Sequence, residues 1–427
     1  MANKKRKKKS SGFSLSKVFL GDRRNGDISI SFFAYVMILL VIGIVMMSSA
    51  SYAWAYEKYG DGLYYAKRQL MFAVGGVAAM IFFMKMDYHN FKIIKLPFFK
   101  RFNIAGLMYI IGLALLVAVL IFGTDEGGSI EAKRWLVIGG INFQPSEIAK
   151  LALIIYFAYS MEKDGKKMNS FKIGIVKYAV LFGAYAGLLI IEPHVSGTVL
   201  LGSIAVAMIL CGGANKRQFT LLAVSAVTIV VLFIFWQNGI EGSYIQTRVK
   251  SWQDPFADVL NDTWQTANSL IAIGSGGLTG LGLGNSRQKY LYLPESQNDF
   301  VFPIVCEELG YIGALAIILV FLLLVIEGFS IAARCKDRFG MLLAVGITTQ
   351  IGIQTVLNLA VVSNLIPNTG ISLPFFSYGG TALMMQLAEM GIMLNISQQR
   401  YYASDSKQTE SATGKKENYT KSEPKNA

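Results

Sequence analysis

Long apolar stretches alternate with short polar ones along most of the chain. Ten of them are about as long as a helix must be to cross the ~30 Å hydrocarbon core of a bilayer. Lipid offers the backbone no hydrogen-bond partner, so such segments span the membrane as helices. The pattern predicts an all-α integral membrane protein with about ten transmembrane helices and a large extracytoplasmic loop between the seventh and eighth. The apolar segments fall at residues 30–50, 69–86, 103–123, 144–160, 173–191, 197–213, 218–236, 300–327, 340–362 and 374–397, and the loop at 237–299.

Polar segments flank the predicted membrane domain, residues 30–400. Residues 1–29 contain nine Lys and Arg residues, which predicts a basic cytoplasmic tail lying near anionic lipid headgroups. A tail that only improves solubility fits the same residues equally well. Residues 401–427 are polar and poor in hydrophobic side chains, which predicts a disordered cytoplasmic tail.

Basic residues are divided unequally between the two predicted sides of the membrane. With the N-terminus inside, the inner segments carry 29 Lys and Arg residues and the outer segments carry nine. Basic residues collect on the cytoplasmic side of membrane proteins, so both termini are expected in the cytoplasm and the loop at 237–299 outside. The net charge of +13 has the same explanation, and we expect no nucleic-acid partner.

The composition supports a membrane protein and excludes several kinds of site. The chain is 53% hydrophobic, which is too apolar for an ordinary soluble protein. Three cysteines and two histidines exclude a disulfide framework, a CxxC zinc site and a histidine-rich metal site.

The loop between the seventh and eighth apolar segments ends in an unusual sequence. Six of the eleven residues from Gly274 to Gly284 are glycine. No strand is predicted before them, so a dinucleotide-binding loop is rejected. Glycine instead lets the backbone approach a ligand or a neighbouring helix closely. Two acids, Glu307 and Glu308, follow inside the next apolar segment, where acidic side chains are costly and tend to be functional.

Asp299 stands just before the eighth apolar segment, in the sequence PESQNDF. A carboxylate there can cap the free N–H groups of the helix and gain from its dipole. It can equally act as a general base that faces an external substrate, with a pKa tuned by partial burial. The spacing alone favours neither interpretation.

Further charged residues begin the fourth segment and precede it. Glu147 and Lys150 have i,i+3 spacing, which predicts either a mutual salt bridge or a pair facing a cavity. Lys133, Arg134 and Arg248 lie in predicted outer segments, where together they could bind a phosphate-bearing headgroup. Any one of them alone is better explained as a side chain snorkelling to the interface.

The stretch 366–380 contains two prolines and three glycines between the ninth and tenth segments. Irregular backbone at membrane depth is tolerated where protein or a water-filled cavity surrounds it. We therefore predict a re-entrant turn lining the same cavity, with Ser377 as a candidate substrate-binding residue.

Three motifs together resemble the shape, elongation, division and sporulation family of membrane proteins. They are RWLVIGGINFQPSEIAK at 134–150, the run AIGSGGLTGLGLGNSRQKYLYLPESQNDFVFPIVCEELG at 272–310, and PNTGISLPFFSYGG at 367–380. The resemblance covers most of residues 30–400. It implies an inverting peptidoglycan glycosyltransferase that polymerises lipid II at the outer face of the cytoplasmic membrane during cell division.

The resemblance also implies roles for particular residues. The family's essential loop aspartate matches Asp299, its acid and lysine match Glu147 and Lys150, and its Arg–Trp pair matches Arg134 and Trp135. The family's Pro-Asp-Leu-Gly after the fifth helix is replaced by EPHVSG at 192–197. This departure leaves no acid at position 194, although Glu192 remains nearby as a candidate for substrate binding.

In the implied reaction, Asp299 deprotonates the 4-hydroxyl of the N-acetylglucosamine of lipid II. The oxygen then attacks the anomeric carbon of a strand linked to undecaprenyl pyrophosphate, with inversion. Lys150, Lys133 and Arg134 stabilise the leaving pyrophosphate, and a divalent cation, Mg²⁺ or Mn²⁺, is a further candidate for that task. The implied partners are a class B penicillin-binding protein (a transpeptidase) and other divisome proteins.

Two other functions fit the same residues. A lipid II flippase would use charges inside a helix bundle as a path for the headgroup, and a scaffold for a transpeptidase would carry no chemistry. Strand formation from lipid II supplied on the accessible face separates a polymerase from a flippase, and loss of function in Asp299→Asn separates it from a scaffold. The basic N-terminal tail favours a division role over elongation or sporulation.

Overall fold

A computed structural model describes residues 28–94, 102–124, 134–138, 141–192, 194–220, 244–259, 261 and 263–419. These residues are mostly helical, with two small β-hairpins. The longer helices are α1 (Ile30–Tyr59), α2 (Tyr64–Lys85), α3 (Ile104–Phe122), α4 (Pro145–Asp164), α5 (Lys177–Ile191), α6 (Val195–Cys211), α7 (Tyr244–Gln253), α8 (Trp264–Ser275), α9 (Val301–Arg334), α10 (Arg338–Val362) and α11 (Gly380–Tyr419).

The predicted multi-helix membrane architecture is confirmed. Each predicted apolar segment other than 218–236 coincides with a described helix, and 218–236 lies mostly outside the described residues. Six of the described helices are long and apolar enough to cross a membrane, namely α1, α2, α3, α5 with the turn before it, α9 and α10. The count of ten helices stays a prediction.

Helix α10 forms the centre of the bundle. In the most apolar 18 residues of α10, 72% of the residues are buried, against 28–39% in the corresponding stretches of the other five candidate spans. It packs against α4, α6, α9 and α11. The outer helices instead expose apolar side chains such as Val74, Ile110 and Val180, as expected where a helix faces lipid. A helix that is mostly enclosed by protein can carry polar residues, provided that neighbouring helices satisfy them.

Helix α9 is interrupted near its start. Gly310 has φ 69° and ψ −173°, which divides the helix into a short buried part and a long part. The glycine-rich loop supplies the hydrogen bonds lost at this break, because Tyr311 N donates to Gly277 O at 2.9 Å and Leu281 N donates to Glu307 O at 2.9 Å. The close backbone approach predicted for these glycines is therefore made to a helix.

The large loop before α9 is more structured than its sequence suggested. Two helices, α7 and α8, lie within it. Helix α7 is held to the end of α10 by two reciprocal hydrogen bonds, in which Trp252 Nε1 donates to Asn364 O and Asn364 Nδ2 donates to Trp252 O, each at 3.1 Å. Helix α8 is held by Ser269, whose hydroxyl donates to Val362 O at 2.7 Å.

Two antiparallel hairpins were not predicted, because strands of two or three residues are too short to show an alternation of apolar and polar positions in the sequence. Strands β1 (Ile93–Ile94) and β2 (Phe102–Asn103) pair with each other, as do β3 (Leu136–Ile138) and β4 (Ile141–Phe143). The β3–β4 hairpin leads directly into α4 and carries Arg134 and Trp135 just before its first strand.

The C-terminal helix is longer than the predicted span. The backbone of α11 is helical through Tyr419, whereas the sequence predicts a tail without regular structure from residue 401. Eight of the nineteen residues from 401 to 419 are alanine, glutamate, lysine or glutamine, which favour a helix once one has been started by the preceding span.

Candidate functional site

A cavity of about 270 Å³ opens among α2, α4, α6, α10, α11, the segment before α9 and the turn between α10 and α11. Its walls include six of the predicted site residues, namely Arg134, Trp135, Glu147, Lys150, Asp299 and Ser377. These residues are separated by up to 243 positions in the chain, so the fold brings distant segments to one place.

Glu147 and Lys150 form an ion pair at the cavity wall. Lys150 Nζ lies 2.8 Å from Glu147 Oε1, and both side chains are only 7% exposed. Pro145 begins the helix, so the pair occupies its first two turns. Glu147 Oε2 has no hydrogen-bond partner in the described structure. The pair is therefore only half satisfied, which leaves a buried carboxylate oxygen available to a ligand.

Asp299 is held in place through its backbone. Asn358 Nδ2 on α10 donates to Asp299 O at 2.8 Å and to Ile371 O at 2.6 Å. Tyr378 N donates to Gln297 O at 2.8 Å, which ties the same segment to the turn before α11. The side chain lies beside Gly370, where an added Cβ would come within 3.2 Å of Asp299 Oδ2.

The capping alternative for Asp299 does not match this geometry. Phe300 occupies the N-cap position of α9, and no side chain caps that helix in the described structure. The carboxylate of Asp299 faces the cavity instead. Its side chain is thus available for chemistry.

The surroundings of Asp299 make its carboxyl group a weaker acid than usual. Desolvation by the surrounding protein raises its pKa to about 7, and the nearby charge of Glu295 acts in the same direction. The positive charge of Arg134 opposes both effects. A carboxylate whose pKa lies near neutral pH is suited to accept a proton from a substrate hydroxyl.

His194 lines the cavity at the position where the resembled family has an acid. It is buried, and its Nδ1 has no hydrogen-bond partner in the described structure. Burial, together with the positive charges of Arg134 and Lys150, lowers its pKa to about 3. The imidazole is therefore neutral, so position 194 offers a hydrogen-bonding group in place of a negative charge.

Three predicted substrate-binding residues are not found in the cavity wall. Glu192 is 2% exposed and is not part of the cavity lining. Burial raises its pKa to about 8, against the opposing charge of Arg134. Arg248 lies on α7 and does not line the cavity either. Lys133 lies outside the described residues.

The turn between α10 and α11 is held by its own Ser377 and by glutamines of the surrounding helices α2, α10 and α11. Ser377 Oγ accepts a hydrogen bond from Leu373 N at 2.7 Å, and Ser377 O accepts one from Gln69 Nε2 at 3.1 Å. Gln354 Nε2 donates to Ser372 O at 3.0 Å, and Gln386 Oε1 accepts from Phe375 N at 3.1 Å. Ser377 therefore shapes the turn as well as lining the cavity.

Sequence reasoning missed the cavity residues Gln354 and Gln386. Both line the cavity from central positions of apolar helices. The available signal was a glutamine inside a membrane segment, because polar residues at that depth usually face the bundle interior or a water-filled cavity.

Glu307 and Glu308 lie outside the cavity and hold the glycine-rich loop. Glu307 Oε1 accepts from Arg287 N at 3.0 Å. Glu308 Oε1 pairs with Lys289 Nζ at 3.0 Å, and both side chains are buried. These acids therefore anchor a loop and do not face a substrate.

No group of three or more His, Cys, Asp or Glu side chains in the described part of the chain is arranged to hold a metal ion. The carboxylates that line the cavity and could meet a substrate-bound cation are those of Glu147, Glu295 and Asp299.

Comparison with known proteins identifies the family. The family model described as "Cell cycle protein" (FtsW, RodA, SpoVE) matches residues 30–402. The chain belongs to this family. The resemblance seen in the sequence motifs is thereby confirmed.

The similar curated proteins match almost over their full length. The chain is 39% identical to "Stage V sporulation protein E" of Bacillus subtilis over 370 residues, covering 86% of this chain and 96% of that protein. It is 37% identical to "Probable peptidoglycan glycosyltransferase FtsW" of Geobacter metallireducens over 360 residues, covering 84% and 92%.

Solved structures show the same fold. A structure titled "Structural coordination of polymerization and crosslinking by a peptidoglycan synthase complex" has a TM-score of 0.70 at 25% identity, covering 88% of this chain and 98% of that chain. The rod shape determining protein RodA of Thermus thermophilus has a TM-score of 0.61 at 24% identity, with the same coverage.

Proposed function

We propose that this protein is a peptidoglycan glycosyltransferase that polymerises lipid II, with the cavity around Asp299 as its active site. The observation that carries the proposal is a carboxyl group with a pKa of about 7 that faces the same cavity as a buried Lys–Glu ion pair. Relatives in the same family carry peptidoglycan glycosyltransferase activity in their names.

In the proposed reaction, Asp299 accepts the proton of the 4-hydroxyl of the N-acetylglucosamine of lipid II. The resulting oxygen forms a bond to the anomeric carbon of the growing strand as the bond to undecaprenyl pyrophosphate breaks. Attack opposite the leaving group inverts the anomeric centre. A well-placed general base contributes roughly 10²–10⁴-fold to such a rate.

The leaving pyrophosphate develops negative charge, which preorganised cations stabilise in a site with little water. Lys150 and Arg134 line the cavity and are the described candidates. Lys133 precedes Arg134 in the chain and is a further candidate. A neutral His194 beside them can hydrogen-bond to a substrate without repelling the diphosphate.

A divalent cation is compatible with the donor set. Mg²⁺ is commonly bound by one or two carboxylates together with substrate phosphates. The unpartnered Glu147 Oε2 would be its protein ligand, and the ion would supply further neutralisation of the pyrophosphate.

The proposal includes a cellular setting. A related solved structure is described as a peptidoglycan synthase complex that coordinates polymerization with crosslinking, which supports a class B penicillin-binding protein as partner. The division role, with other divisome proteins as partners, follows the FtsW relatives. The excess of basic residues in the predicted inner segments supports cytoplasmic termini.

The test of the activity is polymerisation of lipid II by the purified protein, with and without its cognate transpeptidase. We expect glycan strands from the wild type and a 10²–10⁴-fold lower rate from Asp299→Asn at unchanged thermal stability. An amide keeps the size of the side chain but has no useful basicity. A stable Asp299→Asn protein that polymerises at the wild-type rate contradicts the base assignment.

The orientation is tested by thiol labelling of intact protoplasts with an impermeant reagent. In a background without native cysteines, Leu283→Cys should react, because Leu283 is 59% exposed on the predicted outer loop. Ser170→Cys, on the predicted inner side, should not react. The reverse pattern of labelling contradicts the proposed orientation.

A further inference from the structure

Four tyrosines on the predicted outer side of the membrane form a continuous row of rings, the tyrosine row. The rings of Tyr59 at the end of α1 and Tyr64 at the start of α2 are stacked, with centroids 3.8 Å apart. Tyr65 meets both rings edge-on, at 5.8 and 5.6 Å. Tyr65 also meets Tyr378 at 4.7 Å, and Tyr378 lines the cavity. The row therefore leads from Tyr59, which is 43% exposed, to the wall of the proposed active site.

Packing and a hydrogen bond from a cation fix the rings of the tyrosine row. Tyr65 is buried and packs with Met47 and Ala55 in a small apolar cluster separate from the main core. Arg68, which lines the cavity, donates from Nη1 to Tyr64 Oη at 3.0 Å and lies 5.4 Å from the centroid of the same ring. Rings held in this way lose little further conformational freedom when a ligand binds to them.

Tyrosines are also common at the interface between membrane and water, where they anchor helices. The geometry of α1 argues against that role for Tyr59. The 30 residues of α1 extend about 45 Å, against a hydrocarbon core of ~30 Å, so the helix projects beyond the core. Its last turn carries the exposed residues Glu57 and Lys58, and the turn that follows contains an exposed ion pair between Lys67 and Asp61. Water and polar ligands therefore reach the ring of Tyr59.

We propose that the tyrosine row and Arg68 form a saccharide-binding track that holds the glycan strand as it leaves the cavity. The face of an aromatic ring carries partial negative charge, which attracts the C–H groups on the face of a sugar ring. Arg68 beside Tyr64, and Lys58 with its Nζ 5.6 Å from the centroid of Tyr59, supply N–H donors for hydroxyl and acetamido oxygens. The inference rests on the proposed function, because a polymerase that adds many units to one strand must hold its product between additions.

The first measurement is binding of chitohexaose, a water-soluble β-1,4-linked oligomer of N-acetylglucosamine, to the purified full-length protein. This probe carries neither lipid nor diphosphate, so its binding does not depend on the reaction. Tyr59→Ala should weaken binding about two- to tenfold, as expected for the loss of one aromatic contact. Tyr59→Trp keeps an aromatic face and should bind the oligomer about as tightly as the wild type does.

The second measurement is the length of the glycan strands made from lipid II, compared at equal consumption of lipid II. Tyr59→Ala should give shorter strands than the wild type, because each strand dissociates sooner. The matched control for both measurements is Tyr311→Ala. Tyr311 is 62% exposed on α9 and does not line the cavity, so its loss should change neither the affinity nor the strand length. The melting temperature of each variant is measured as well.

The results separate the track from other roles of the same rings. No binding of chitohexaose to the wild type, or equal affinity in Tyr59→Ala, overturns the track. A lower melting temperature of Tyr59→Ala at unchanged affinity identifies Tyr59 as a membrane anchor and overturns it too. Equal losses of affinity in Tyr59→Ala and Tyr311→Ala also overturn it, since the effect is then not specific to the row.

The two measurements also separate the track from the proposed function. Weaker binding in Tyr59→Ala with unchanged strand length overturns the holding of the product by the track. Absence of polymerisation by the wild type, with the expected pattern of chitohexaose binding, overturns the proposed function and supports a saccharide site at the tyrosine row.

Discussion

Two buried Lys–Glu pairs in the described part of the bundle consist of the same two residue types and differ in their surroundings. Lys289 and Glu308 lie 3.0 Å apart between the glycine-rich loop and α9, while Lys150 and Glu147 lie 2.8 Å apart on α4. In the first pair, Lys289 Nζ also donates to Gly284 O and to Ser49 Oγ. In the second pair, no further partner of Lys150 is recorded among the described hydrogen bonds.

The difference shows which pair is structural. Loop and helix surround Lys289 and Glu308, and the neighbouring Glu307 accepts hydrogen bonds from the loop backbone. Each pair has one carboxylate oxygen without a partner in the described residues, Glu308 Oε2 in the first and Glu147 Oε2 in the second. Only Glu147 lines the cavity, and it does so together with His194, whose Nδ1 is also without a partner there. A buried polar group that the protein leaves unsatisfied beside open space indicates a ligand site more strongly than a buried charge does.

The largest expected effect is the loss of catalysis when both residues of the Glu147–Lys150 pair are made neutral together. The double substitution Glu147→Gln/Lys150→Gln keeps side-chain volume and leaves no unpaired charge. We expect polymerisation to fall by at least about 10²–10³-fold, the usual cost of removing a preorganised stabiliser of developing charge. Turnover per folded molecule and melting temperature are the measurements.

The matched control is Glu308→Gln/Lys289→Gln at the structural pair. This variant should lose thermal stability while its rate per folded molecule stays within a few-fold of wild type. If both double variants lose activity equally at equal stability, the distinction between a structural pair and a catalytic pair is wrong.

Sequence reasoning correctly identified the residues of this site that lie at the ends of apolar segments. Asp299, Glu147 and Lys150 stand out because a charge beside a membrane helix is costly, and the structure places all three in one cavity. Gln354 and Gln386 were missed because each is an uncharged polar residue inside a long, mostly apolar segment, with no local pattern that identifies its partner. Their roles emerge only when helix packing brings α10 against α11.

The same limit explains the misplaced candidates. Arg248 and Glu192 have suitable chemistry and suitable positions in the chain, but which way a side chain points depends on tertiary packing. Conversely, the glycines of the loop were correctly expected to allow close backbone approach, because that property belongs to the residue type itself.

A smaller effect is expected from filling the space between the loop and α9. A Cβ at Gly280 would lie 2.2 Å from Glu308 O, at a backbone φ of +79°. Gly280→Ala therefore combines left-handed strain, which costs roughly 1–3 kcal/mol, with a steric clash against backbone. We expect a clear fall in melting temperature, measured in detergent.

Gly277→Ala is the control for strain without a clash. Its φ is +54°, and nothing lies within 4 Å of the added Cβ. It should lower the melting temperature less than Gly280→Ala does. Equal losses would mean that the close packing of loop and helix contributes nothing beyond backbone conformation.

The smallest expected effect concerns the pH dependence of catalysis. Asp299 must be deprotonated to act as a base, so the rate should rise with pH through its pKa of about 7 and level off above it. Glu295 is an exposed neighbour whose charge raises this pKa. Glu295→Gln should therefore lower the pKa of Asp299 and move the rising part of the profile to lower pH. Because exposed charges are screened by solvent and salt, the displacement should be a fraction of a pH unit and should shrink at high ionic strength.

At pH 6 such a displacement corresponds to about a twofold gain in the rate relative to the high-pH plateau of the same variant, because a larger fraction of Asp299 is then deprotonated. Glu295→Asp, which keeps the charge, should leave the profile close to that of the wild type. The measurement is the position of the rising limb of kcat/KM for lipid II, which reports the free enzyme, and not the height of the plateau. A limb that stays in place in Glu295→Gln at low salt would mean that the titrating group is remote from Glu295, and Asp299 would then not be the base.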